Sequence, residues 1–123
     1  MARLPFRFYL PLRAHLPLRT IAVRGSSMSP TYNDGDWLLF WTFALDDANS
    51  SHHLVGKVVV IERESYPGVL FIKRVVKADQ AGIWVVGDNQ SASTDSRQWG
   101  SLAAPEIRGR VLLRYKRSRF VKP

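Results

Sequence analysis

The chain has 123 residues, 46% of them hydrophobic, and no cysteine, so disulfides, thiolate metal sites and a cysteine nucleophile are excluded. A chain of this length builds one compact domain whose core needs no covalent staple. Its formal charge of +8 is uneven: Arg3, Arg7, Arg13, Arg19 and Arg24 precede the first acid, Asp34, and Arg108, Arg110, Arg114, Lys116, Arg117, Arg119 and Lys122 follow the last, Glu106. Two basic ends are either solvated surface or are drawn to an anionic one, lipid or nucleic acid.

The first nineteen residues repeat a unit at six-residue spacing: Leu4-Pro5-Phe6-Arg7, Leu10-Pro11-Leu12-Arg13 and Leu16-Pro17-Leu18-Arg19. Proline at that spacing forbids a continuous helix, because each ring removes a donor and clashes with the preceding turn. Residues 1–19 are therefore expected to be an extended basic leader that lies on a membrane or clasps the domain, which occupies residues 20–123. No segment reaches the ~20 apolar residues that span a bilayer. The expected placement is cytoplasmic or peripheral to a membrane.

From Thr20 onward the pattern predicts strands. They are Thr20 to Val23, Asp36 to Phe43, Lys57 to Glu62, Val69 to Val76, Ile83 to Val86 and Ile107 to Tyr115. Each is a short apolar or β-branched run bounded by turn residues such as Asn33-Asp34-Gly35 and Pro67-Gly68. Helical turns fit only Ala44 to Ser51 and Ser101 to Glu106. The expected fold is mostly β, a single antiparallel β domain without a βαβ unit.

Three segments carry polar residues suited to chemistry. Gly25-Ser26-Ser27-Met28-Ser29-Pro30-Thr31 lies between two predicted strands, where a tight turn exposes a hydroxyl and leaves backbone N–H groups free for an oxyanion. An ordinary serine-rich turn has the same composition. In Phe71-Ile72-Lys73-Arg74-Val75-Val76, alternation puts Lys73 on one face with Phe71 and Val75, and Arg74 on the other. A lysine among apolar neighbours either snorkels to water or is desolvated, and desolvation lowers its pKa towards a usable base. Gly87-Asp88-Asn89 followed by Ser93, Asp95, Ser96 and Arg97 reads as a loop held by its own side chains, with Asp95 and Arg97 free to pair with each other or with Asp88 and Arg74.

Together, in this order, these segments resemble the boxes of the type I signal peptidase family. Ser27-Met28-Ser29-Pro30-Thr31 matches its serine box, Lys73 to Val76 its lysine box, and Gly87 to Arg97 its Gly-Asp-Asn box without a gap. The resemblance spans Val23 to Tyr115 and implies a serine–lysine endopeptidase of the signal peptidase and LexA-like catalytic type. It implies Ser27 as nucleophile, Lys73 as general base, Ser93 as the residue that orients the amine, and Asp88, Asp95 and Arg97 as supports. Met28 would line the substrate pocket, and the Ser27 N–H would supply one oxyanion donor. The side-chain hydroxyl that some members place two residues before the nucleophile is replaced by Gly25. The implied substrate is a precursor protein with small residues before the cut, and no cofactor or metal is implied.

Two departures narrow the resemblance: the Leu-Pro-x-Arg repeat stands in place of the family's anchoring helix, and there is no room for a large second domain. In this, and in Gly35-Asp36-Trp37-Leu38-Leu39, the chain is similar to nickel-type superoxide dismutase maturation proteases. Three rivals remain. His52 or His53 with Asp46 or Asp47 would make a histidine-based hydrolase, but they lie in a polar stretch expected to be a solvated loop. A LexA-like protein would cut itself at Ala-Gly, which occurs here only as Ala81-Gly82, downstream of the serine. A non-enzymatic basic β-domain binding nucleic acid accounts for the charge but not for the three boxes.

Overall fold

The apolar runs become six strands: β1 (Leu18–Ala22), β2 (Trp37–Thr42), β3 (Val58–Glu62), β4 (Leu70–Asp79), β5 (Gly82–Val86) and β6 (Ile107–Lys116). This computed structural model describes residues 16–118. All pairings are antiparallel, in one sheet of order β1-β2-β6-β3-β4-β5. The mostly β expectation holds, with strand ends moved by a few residues. β1 begins at Leu18 because Leu18 and Arg19 pair with Trp41 and Phe40. β4 runs on to Asp79 because Lys77, Ala78 and Asp79 find partners in Trp84, Ile83 and Gly82. Most of the Leu-Pro-x-Arg leader lies outside the described residues.

β3 is the centre of the molecule, and its residues Val58 to Ile61 are all buried. Alternation divides them between two cores. Val59 and Ile61 join Leu54, Val75, Ile83, Val85, Leu102 and Ile107 on one face, while Val58 and Val60 join Met28, Leu38, Phe40, Ile72 and Val111 on the other. Burying each such side chain contributes about 1.5–3 kcal/mol. A charge placed at Val60 would have no route to water.

Short helical segments close the first core. The 3-10 stretch Ala48–Leu54 is capped by Asp47, whose side chain accepts from the Asn49 N–H at 2.9 Å, and it buries Ser51 and Leu54. The turn expected over Ala44 to Ser51 thus falls a few residues later, since Leu54 is the residue with a core to enter. Ala104–Glu106 is a single 3-10 turn, and α1 (Ser96–Trp99) is a short helix where only a loop was expected. Among the described residues no helix is long and apolar enough to cross a membrane.

Candidate active site

Ser27 sits in the loop that leaves β1. Two backbone hydrogen bonds close its neck, Val23 N–H to Asp36 O and Gly35 N–H to Val23 O, both 2.8 Å. Within it, Gly25 has a positive φ of 83°, natural for glycine, and its N–H donates to Asp34 Oδ1 at 2.7 Å. Tyr32 N–H reaches back to Met28 O at 3.0 Å. Met28 is 1% exposed and plugs the second core, so it anchors the loop rather than hanging free in it. The Ser27 side chain is half-buried, and among the described residues neither its hydroxyl nor its N–H makes a hydrogen bond.

The loop after β5 grips the same turn from the other side. Asn89 N–H donates to Ser27 O at 2.8 Å and Asn89 Nδ2 to Ser26 O at 3.0 Å. A Cβ at Gly87 would run into Ser93 Oγ and the Ser27 carbonyl oxygen, so only glycine allows this approach. A second polar link crosses from the serine loop to β4: Thr31 Oγ1 donates to Asp88 Oδ2 at 2.6 Å, and Arg74 donates to both oxygens of Asp88 at 2.8 and 2.7 Å.

β4 carries Lys73 opposite Val59, on the face of the first core. Of the two neighbouring cations it is the buried one, at 4% exposure, while Arg74 turns to Asp88 and Gly56 O. Lys73 Nζ donates to Ser93 Oγ at 3.0 Å, and Ser93 Oγ–H donates to Asp95 Oδ2 at 2.6 Å. Asp95 is fully buried and caps α1. Its carboxylate also accepts from Gly87 N–H at 2.8 Å, Arg97 N–H at 3.1 Å and Arg97 Nε at 2.9 Å.

These contacts set the charges. Burial pushes the Lys73 amine below its usual pKa; the Asp95 carboxylate pulls the other way, and the Arg97 guanidinium adds to the lowering. Burial alone would favour a neutral Asp95, but the hydrogen bonds from Arg97, Ser93 and the backbone outweigh it and hold the carboxyl well below the usual range. Asp88 is also lowered, first by Arg74, with burial opposing and Thr31 assisting.

Ser27 and Lys73 line one cleft of about 90 Å³, with Ile21 to Arg24 on one wall, Leu70 to Ile72 on the other, and Met28. A larger hollow of about 350 Å³, between Glu62, Arg63, Glu106 and Arg108, holds neither residue and none of the polar chain that runs from Lys73.

The structure therefore brings Ser27, Met28, Lys73, Asp88, Ser93, Asp95 and Arg97 into one region. It leaves His52 and His53 exposed on the 3-10 stretch, outside that cleft. The sequence places Asn89 and Ser96 in a loop held by side chains without giving their partners, and it does not single out Arg114 as an organiser. Ser96 Oγ accepts the Val85 N–H at 2.9 Å. Arg114 Nη1 donates to Thr31 O at 2.8 Å and to the buried Asp36 at 3.1 Å, with its guanidinium 5.7 Å from the Tyr32 ring centroid. One signal was available: Asp95-Ser96-Arg97-Gln98 is a capping box, in which Gln98 Oε1 takes the Asp95 N–H at 2.9 Å.

The family model described as signal peptidase, peptidase S26, matches residues 10–78 and 76–116. The mitochondrial inner membrane protease subunit 1 of Xenopus tropicalis is 30% identical over 114 residues, covering 73% of this chain and 64% of that protein. The chain thus spans somewhat under two thirds of that relative's length.

Proposed function

The chain belongs to the signal peptidase family, peptidase S26, and from that premise we propose that it is a serine endopeptidase in which Ser27 is the nucleophile and Lys73 the general base. The observation that carries this reading is a nearly buried amine, 3.0 Å from Ser93 Oγ, lining the same small cleft as an unengaged serine. Ser93 gives its own hydrogen to Asp95, so its oxygen is free to accept one from Lys73. That leaves the lone pair of the neutral amine for the Ser27 proton.

Lys73 Nζ takes that proton as Ser27 Oγ attacks the carbonyl carbon. The unpaired Ser27 N–H meets the oxyanion. The ammonium then protonates the leaving nitrogen, and an acyl ester remains on Ser27. Water loses a proton to Lys73 as it attacks the ester, and Lys73 returns that proton to Ser27 Oγ as the acid is freed. Met28 shapes the pocket floor, and its 90 Å³ scale favours small side chains before the cut.

The substrate is a precursor protein cut in trans, with the precursor of a nickel superoxide dismutase as the first to test. Self-cleavage at Ala81-Gly82 is disfavoured by position. That pair lies where the β4–β5 turn enters β5, and the strand from Lys73 to Asp79 sets it roughly 20 Å away. The decisive experiment is mass spectrometry of that precursor after incubation with wild type, Ser27→Ala and Lys73→Ala. Leader loss with wild type alone supports the reading, and equal cleavage by either variant overturns it.

The outer face of β1, β2 and β6 supports peripheral contact with an anionic membrane. Trp37, Trp41, Leu112, Leu113 and Tyr115 are exposed there, with Arg110 and Lys116 as register partners of Trp41 and Trp37. The three strands contain no acidic residue. Aromatic rings flanked by cations suit the boundary between lipid headgroups and acyl chains. A second copy fits less well, because it would set like charges against each other.

A further inference from the structure

One charged side chain on the cleft wall takes no part in the chemistry above. Arg24 lines the cleft beside Ser27, is exposed, and among the described residues makes no hydrogen bond or ion pair. Its backbone is held on both sides. Val23 is fixed by its two hydrogen bonds at the loop neck, and Gly25 N–H is tied to Asp34 Oδ1 at 2.7 Å. That bond also engages the acid nearest to Arg24 along the chain. No acidic residue lines the cleft, and the other cation there, Lys73, is buried with a lowered pKa.

The mouth of the cleft therefore carries a permanent positive charge with no internal counter-charge. A guanidinium presents several N–H donors in a planar fork that matches a carboxylate, and it stays protonated at any working pH. A peptide lying in a cleft this narrow must pass Arg24 within a few residues of the bond at Ser27, since the two residues are three apart in sequence.

We propose that Arg24 is a specificity-determining residue that selects substrates bearing an aspartate or glutamate side chain close to the scissile bond. This rests on the peptidase reading. It adds the electrostatic sign of the substrate to the small-residue preference, which concerns size alone.

The test uses quenched-fluorescence peptides built on the cut site mapped with wild type, carrying Asp, Asn or Lys in turn at each of three positions on either side. Within each enzyme variant the ratio of kcat/KM for Asp over Asn is read, so that any general loss cancels. Wild type is expected to favour Asp about tenfold at one position in low salt, with the ratio shrinking as salt is raised. Arg24→Ala brings that ratio near one, Arg24→Lys retains part of it, and Arg24→Glu favours the Lys peptide instead. Wild type that cuts the peptides but is indifferent to Asp, or Arg24→Ala that keeps the preference, overturns the role of Arg24 and leaves the peptidase reading intact. Cutting that persists in Ser27→Ala overturns both.

Discussion

Thr31 and Asp88 lie 57 residues apart in sequence, yet their side chains share a 2.6 Å hydrogen bond. Asp88 is in turn held by Arg74, the neighbour of Lys73. The bond thus joins the loop of Ser27 to the strand of Lys73. Thr31→Val is expected to lower kcat about tenfold while costing about 1 kcal/mol of stability. Thr31→Ser, which keeps the hydroxyl, is expected to restore kcat. Steady-state kinetics beside a melting curve separate the two effects.

The burial of Lys73 costs stability. Its folded pKa is lowered, so the protonated amine is disfavoured in the native state. That penalty is full below the folded pKa and vanishes above the unfolded value of 10.5. Lys73→Met should therefore melt at a higher temperature than wild type at neutral pH, with a margin that closes as pH climbs through 10.5, and it should cleave nothing. Lys73→Arg should be equally inactive, because a guanidinium does not release its proton. A Lys73→Met protein less stable than wild type would show that the amine is not desolvated.

The same amine sets the pH profile. The proposed mechanism needs it neutral, so kcat/KM should rise with pH through a midpoint below that of an ordinary lysine. The Asp95 carboxylate raises this pKa, and removing its charge works in the opposite sense. Asp95→Asn should move the acid limb to lower pH. A limb that stays in place would separate Asp95 from the titration of Lys73.

How far the sequence anticipates this site depends on the kind of force involved. The strands are legible because β-branched runs such as Val58 to Ile61 stop at turn residues, and their burial on both faces follows from having no polar alternation. The burial of Lys73 rather than Arg74 is not legible. Either alternating face could have met the first core, and the outcome depends on which loop, 87–95 or 25–36, covers which side. The contacts of Thr31, Asn89 and Arg114 are likewise hidden, because each joins residues more than fifty positions apart. Helix α1 is a local feature, and its Asp95–Gln98 box could be read from four consecutive residues.

Asp36 should be the most fragile of the polar anchors. It is fully buried, and it accepts from Asn33 N–H at 2.8 Å, Ser118 N–H at 2.6 Å and Arg114 at 3.1 Å. Burial opposes its charge, but these donors together lower its pKa, so its contribution is present at neutral pH and is lost as pH falls below the ordinary 3.8. Asp36→Ala leaves Arg114 without its carboxylate partner and should cost about 3–5 kcal/mol. Urea unfolding at pH 7 measures this, and a change under 1 kcal/mol would remove Asp36 from the anchor of the loop.

For the membrane face, sedimentation with vesicles is the direct measure. Binding is expected with phosphatidylserine-containing vesicles, weakening as salt is raised and lost in Trp37→Ser/Trp41→Ser. Equal binding to neutral vesicles, or none to anionic ones, would remove the lipid reading of that face.

The place of β6 in the sheet has a consequence for the timing of synthesis. Of the six strands described it is the last in sequence, yet it pairs with β2 on one side and β3 on the other, and it carries the arginine that pins the serine loop. Ser27 is made well before this strand, but the two halves of the sheet are joined edge to edge only when β6 slides between them. Until β6 has been made, the loop of Ser27 lacks the arginine that holds Thr31 and Asp36.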